Sequence, residues 1–416
     1  MVHSIPIVVV AYNRPKALER LLSSLLKADY PGPVELIISI DMEAGNRGKG
    51  DEVRGIAADF VWPFGDKKLI FHEENLGLRK HVLACGDLSR DYDGVIILED
   101  DLYVSPEFYH FTLQAFEYYR DDPGIAGISL YSHAYNETAQ FPFIPLNDGT
   151  DVFFLQYASS WGQFWSRKQW SRFRSWYDQT GSQGITKTLL PPNIQLWPES
   201  SWKKYFIEYL IRNGFYFVYP RVSLTTVFGD EGTNIRLLET FLQVPVLSGK
   251  RAFIFQKLEA SNAVYDTWCE ILPDRLKRIW KEAPEEDFDV DLYGMKSKTS
   301  VRSEMLISSR QCHAPVKSFG REMKPHEGNL INNIPGDYFS FGKNEDFSDP
   351  PYLARLLNCH QKRELSYWYP IREYHFAGSK LLTTQRTKKL YFDPGFIVRK
   401  FTVMLSYAFR YFRKGS

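Results

Sequence analysis

Apolar runs and polar breaks alternate from the start of the chain. Ile5 to Ala11 is a continuous apolar stretch, the pattern of a strand covered on both faces. It stops at Tyr12-Asn13-Arg14-Pro15, where Asn13 can cap a helix and Pro15 suits its first turn. Leu18, Leu21, Leu22, Leu25 and Leu26 then form an i, i+3, i+4, i+7, i+8 stripe that must face a sheet. Val34 to Ile40 is a second strand ending at Asp41, and Gly45 to Gly50 reads as a flexible surface loop. Leu69 to His72 is a short third strand, followed by Asn75, Arg79 and Lys80 at the start of a helix. A fourth strand, Val95 to Leu98, runs straight into Glu99, Asp100 and Asp101. Ser105, Pro106 and Glu107 supply an N-cap, a first-turn proline and a first-turn acid for the next helix, and Ile125 to Leu130 is a fifth strand.

Repeated strand–helix units predict an α/β fold: a Rossmann-like, mostly parallel sheet with helices on both faces and its ligand beyond the carboxyl ends of the strands. Arg14, Asp41, Asn75 and the acidic triplet all fall on that edge. Three adjacent carboxylates make one another costly to ionise unless a cation or a set of donors shares them. Taken alone, the triplet fits either a metal site or a solvated acidic turn; the shared edge favours the metal. No G-x-G-x-x-G follows the first strand and no Walker A motif occurs, which disfavours a dinucleotide or P-loop site.

A length of 416 residues leaves room for two or three domains. The pattern divides it into 1–245, the sheet-forming domain; 246–378, in which no motif can be interpreted; and 379–416, a basic, aromatic tail. Aromatic residues reach 16%, and the tryptophans gather around Trp161, Trp165, Trp170, Trp176, Trp197 and Trp202, where most should be core. A formal net charge of +1 excludes a globally basic, nucleic-acid-binding chain. Four scattered cysteines with no C-x-x-C pair fit a reducing compartment, and the first apolar run is too short for a signal peptide or membrane span. The expected location is cytoplasmic, and the Asn136-Glu137-Thr138 sequon is then idle. The tail carries nine basic residues against Asp393 alone, a net +8, interleaved with aromatics. It suits peripheral binding to an anionic inner-membrane surface, with docking on its own protein as the alternative.

Val8-Val-Val-Ala-Tyr-Asn-Arg-Pro15, Asn75-Leu-Gly-Leu-Arg-Lys80 and Ile97-Leu-Glu-Asp-Asp-Leu-Tyr-Val-Ser-Pro-Glu-Phe108 together resemble GT-A-fold glycosyltransferases. The likeness is to the N-acetylglucosaminyltransferase I type and bacterial relatives in surface polysaccharide synthesis, and it extends through Trp202 and the Phe228 to Asn234 loop. The resemblance implies inverting transfer from a nucleotide sugar, usually a UDP-sugar, to a glycan or lipid-linked glycan acceptor. It implies Mn²⁺ (or Mg²⁺) on Asp101, Glu99 and Asp100 toward the donor's sugar and ribose, Arg14 and Asp41 on the nucleotide, and Asn75 with Arg79 or Lys80 nearby.

One position departs from that family. Its general base follows a tryptophan that aligns with Trp202, whereas Lys203 and Lys204 follow here. Lysine is a poor base unless its pKa is strongly lowered. On a helix, Glu199 and Glu208 lie one turn to either side and are the expected candidates; Asp230 and Glu231 are further ones. The rival readings are a non-catalytic nucleotide-sugar- or glycan-binding protein and a nucleotidyltransferase.

Overall fold

The computed structural model describes residues 3–45, 48–180, 184–186, 189–228 and 242–356. The basic tail, and the Phe228 to Asn234 loop apart from Phe228 itself, lie outside the described residues. Met1–Leu356 forms one compact unit.

The first half builds the sheet. β1 (Ile7–Ala11), α1 (Pro15–Leu25), β2 (Leu36–Ile40), α2 (Gly48–Asp59), β3 (Lys67–Phe71), α3 (Gly77–Asp87) and β4 (Gly94–Glu99) follow one another as strand–helix units. Then come β5 (Leu102–Val104), α4 (Phe108–Tyr119), β6 (Ile125–Ser129), and the two-residue strands β7 (Tyr135–Asn136) and β8 (Phe141–Pro142). β9 (Val152–Leu155), β10 (Gln163–Ser166), α5 (Arg167–Gln179), α6 (Pro192–Gln195), α7 (Trp202–Asn213), β11 (Tyr216–Pro220), β12 (Thr225–Val227) and β13 (Val264–Tyr265) complete that region. The nine-stranded sheet has the order β13-β9-β11-β6-β10-β4-β1-β2-β3.

β1, β2, β3 and β4 are mutually parallel, and their registers place Ala11 opposite Ile40 and Val10 opposite Glu99. The carboxyl ends of these strands therefore share one edge, as expected. Side-chain alternation divides the core between two faces. Ile7, Val9, Leu36, Ile38, Ile96 and Leu98 pack with the leucines of α1, with α2 and with the aromatic side of α4. Val8, Val10, Ile37 and Ile97 are buried on the other face. Trp165, Trp170, Phe173 and Phe206 stack there between α5 and α7, with Trp165 and Trp170 centroids 4.6 Å apart and Phe173 and Phe206 4.1 Å apart. Trp165, Trp170 and Trp202 are core residues.

Several local expectations change in three dimensions. Asn13 does not cap α1: Arg14 is the N-cap residue, and the Asn13 amide donates to Glu43 Oε1 at 2.8 Å. Leu26 drops out of the buried stripe because α1 ends at Leu25. The end of the supposed Gly45 to Gly50 loop is already helical, and Glu43 Oε2 accepts from Gly50 N at 2.8 Å beside it. The ammonium of Lys67 closes the far end of α2, donating to the carbonyls of Ala57 and Ala58 in its last turn and of Phe60 just beyond it. Ser105 does not cap α4 directly; it ties the preceding turn, accepting from Glu107 N and donating to Leu247 O, and α4 starts at Phe108.

Two larger features have no local signature. β10 enters antiparallel between β4 and β6, with Gln163 opposite both Ile97 and Ser129. β12 pairs antiparallel with β5 just behind the acidic triplet, setting Val227 opposite Leu102. Beyond residue 245, β13 joins the sheet edge beside β9. α8 (Pro273–Ile279), β14 (Phe288–Asp291), β15 (Met305–Ser308), β16 (Lys317–Phe319), α9 (Glu327–Ile331) and β17 (Phe339–Lys343) follow. They include a second sheet ordered β14-β15-β17-β16. No helix among the described residues is long and apolar enough to cross a membrane.

Candidate active site

The chain leaves β1 toward β2 on one side, while β4 flanks β1 on the other. This topological switch point is where open α/β sheets bind ligands. Arg14, just after β1, and Asp100 and Asp101, just after β4, meet there. Arg14 Nη1 donates to Asp101 Oδ2 at 2.7 Å, and its second amino group pairs with Asp100 Oδ1. Asp100 is 2% exposed, and its backbone amide donates to Val10 O at 3.1 Å.

Burial pushes the Asp100 carboxyl up to about 6, against the opposing pull of Arg14. Glu99 is pushed up to about 8 by burial and by the neighbouring charge of Asp101, with Arg14 again opposing. Burial disfavours the charge on Arg14, but Asp100, Asp101 and Glu99 outweigh it and hold the guanidinium firmly protonated. Two carboxylate oxygens in this clamp, Asp100 Oδ2 and Asp101 Oδ1, are buried without a hydrogen-bond partner. Orphaned anionic oxygens beside a guanidinium that cannot serve them are hard donors suited to Mg²⁺ or Mn²⁺. Among the described residues no group of three or more His, Cys, Asp or Glu side chains forms a ready-made metal cage. The fit is to an ion held by few carboxylates and completed by a ligand.

Asp41 is committed to the backbone. Its Oδ1 accepts from Met42 N and Leu76 N, and its Oδ2 from Gly77 N, so it fixes the entry of α3. Gly77 sits there at φ +71°, the left-handed region that favours glycine. Asn75, exposed, donates to Met42 O at 2.5 Å across the same junction. Lys80 is exposed on α3, while the Arg79 guanidinium lies 4.8 Å from the centroid of the Tyr205 ring, carrying α3 toward α7.

The residues expected as bases are drawn elsewhere. Glu199 Oε1 accepts from Lys204 Nζ at 3.0 Å and its Oε2 from the Tyr205 hydroxyl at 2.7 Å; the Tyr205 bond leads in holding it below the usual carboxylate range. Glu208, 1% exposed, accepts from Thr186 N and Arg212 Nε through Oε1. Among the described residues, neither makes a hydrogen bond or ion pair with the triplet. Asp230 and Glu231 lie outside the described residues.

Lys203 is the α7 side chain that does reach the site. Its ammonium lies 4.7 Å from the ring centroid of Trp197 and 5.1 Å from those of Tyr157 and Trp161. It is 3.9 Å from Glu137 Oε1, and its charge weakly opposes the upward shift of Glu99. Burial leaves neighbouring His133 neutral, its pKa lowered to about 3. Glu137 was hidden in the sequon: no periodicity marks a carboxylate in a turn. The sequon asparagine is itself buried, donating to Trp268 O at 2.9 Å.

Residues 7–170 match the family model described as glycosyl transferase family 2. The chain thus carries a glycosyltransferase domain. Its fold is the GT-A arrangement. The match includes the triplet and stops short of α7, so Lys203 falls outside it. Similar solved structures include the mannosyltransferase PcManGT from Pyrobaculum calidifontis in complex with GDP-Man and Mn²⁺, at 16% identity over 41% of this chain and 47% of that one, with TM-score 0.30. Others are S. aureus TarS 1-349 in complex with UDP-GlcNAc, at 14% identity over 56% and 60%, TM-score 0.34, and GalNAc-T7 with UDP, GalNAc and Mn²⁺, at 14% over 54% and 43%, TM-score 0.36. The chain spans from about two fifths to three fifths of the length of these structures. No curated protein matches it.

Proposed function

We propose that the chain is an inverting, metal-dependent glycosyltransferase that moves a sugar from a nucleotide sugar, a UDP-sugar, to a hydroxyl of a glycan or lipid-linked glycan in surface polysaccharide synthesis. The observation that carries this reading is the clamp of Arg14 on Asp100 and Asp101, with one orphaned oxygen on each carboxylate at the switch point of a glycosyltransferase domain. Asp101 would hold the Mn²⁺ or Mg²⁺ ion, with Asp100 beside it; bound there, the ion supplies positive charge to a departing diphosphate. Glu99 stands next to it for the donor's sugar. Asp41 and Asn75 shape the start of α3, and Arg79 and Lys80 on that helix would serve the nucleotide side. The reading includes a cytoplasmic location and peripheral membrane contact through residues 379–416.

A screen of UDP-sugars for Mn²⁺-dependent release of UDP tests the reading. Release that disappears in Asp101→Ala is the expected result. A non-catalytic binding protein, the reading that Lys203 favours, would bind a UDP-sugar and leave it intact. A nucleotidyltransferase would instead consume a nucleoside triphosphate and release pyrophosphate.

A further inference from the structure

Inverting transfer needs a group to take the proton of the acceptor hydroxyl, and the position after Trp202 holds a lysine. A lysine ammonium has no lone pair for that task, and Lys203 Nζ sits among the rings of Trp197, Tyr157 and Trp161. We infer that Glu137, reaching the site from the turn after β7, is the catalytic base, and that Lys203 is its positioning residue. This rests on the glycosyltransferase reading above.

The turn that carries Glu137 is tightly fixed. Asn136 Oδ1 accepts from Thr138 N and Ala139 N, and the Asn136 amide donates to Trp268 O. The Thr138 hydroxyl donates to Asn193 Oδ1 at 2.8 Å, and Tyr352 donates to Thr138 O at 2.8 Å. Glu137 Oε1 accepts from the Tyr157 hydroxyl at 3.1 Å and faces Lys203 Nζ at 3.9 Å. Its Oε2 makes no hydrogen bond among the described residues, and the side chain is 25% exposed, open to an incoming hydroxyl. Lys203 faces Glu137 and also acts electrostatically on Glu99, so Glu137, Lys203 and the strand-end acids share one neighbourhood.

Among the described residues, the other carboxylates expected as bases are engaged. Glu199 gives both oxygens to Lys204 and Tyr205, and Glu208 is buried against Thr186 and Arg212. His133 is 4% exposed and too weak a base at a pKa of about 3. In the step, the acceptor oxygen bonds to the sugar's anomeric carbon as the bond from that carbon to the diphosphate oxygen breaks. The electron pair of that bond leaves with the diphosphate. The hydroxyl proton passes to Glu137 Oε2, and solvent later removes it.

The test uses the full chain with Mn²⁺, water as acceptor, and UDP-glucose, UDP-galactose and their N-acetylamino counterparts as donors. Glu137→Gln should lower kcat for UDP release by roughly 10²- to 10⁴-fold, with the Kd for the donor and the melting temperature within error of wild type. Lys203→Met should lower kcat while leaving the donor KM in place, and Lys203→Arg should restore part of the loss. Full turnover in Glu137→Gln, with wild type active, overturns the base assignment and leaves glycosyl transfer standing. Absence of UDP release from wild type with every donor overturns the glycosyltransferase reading, and this inference with it.

Discussion

Arg14 Nη1 and Asp101 Oδ2 are 2.7 Å apart, so the turn after β1 supplies a cation to the carboxylate that ends the acidic run after β4. The remaining Asp101 oxygen is orphaned. Asp101→Ala should therefore abolish the Mn²⁺-dependent part of UDP affinity while the protein stays folded, because Arg14 keeps Asp100 as its partner. Calorimetric titration of UDP with and without Mn²⁺ measures this. An unchanged metal dependence contradicts the role given to Asp101.

The crowded acids make stability depend on pH in a defined direction. Glu99 rises from 4.5 to about 8 in the native state, so between those values the folded chain holds a proton that the unfolded chain has released. Stability from this group is lost as pH rises through that window. In a chelator, wild type should therefore lose melting temperature relative to Glu99→Gln on going from pH 6 to pH 8. Added Mn²⁺ should raise the melting temperature more at pH 8 than at pH 6, since the ion stabilises the ionised form.

Glu208 belongs to the packing of α7. Replacing it with Ala leaves Thr186 N and Arg212 Nε without their shared acceptor and should cost about 1–3 kcal/mol. Urea denaturation should show a lower midpoint with an unchanged slope.

Gly94 begins the strand that delivers the triplet. A Cβ there would lie 2.5 Å from the Phe164 ring and 2.6 Å from Trp165 O, the latter on the backbone of the adjacent β10. Gly94→Ala should destabilise the protein by about 1–3 kcal/mol, read as a drop in melting temperature.

The tail gives a separate prediction. Each of its basic residues near an anionic surface contributes about 1 kcal/mol, so deleting residues from 380 onward should release the chain from phosphatidylserine vesicles in sedimentation while UDP release persists. Continued sedimentation of the truncated chain contradicts membrane contact through this segment.

What the sequence determined by itself was local. Apolar runs at β1, β2 and β4 and the leucine stripe of α1 specify strand and helix directly, because burial on both faces or on one stripe demands those periods. Once the strands are parallel, Arg14, Asp41 and Glu99 to Asp101 must share an edge, so the gathering of these charges at one strand edge was legible. Three-dimensional packing decided the rest. β10 inserts antiparallel between β4 and β6, a choice no run of residues announces, and Trp161 lies just ahead of it. Asp41 turns to three backbone amides, because a helix entry beside it presents unsatisfied donors. Glu137 and Lys203, one in a turn and one at the start of α7, are neighbours only because side chains from distant segments converge around Tyr157.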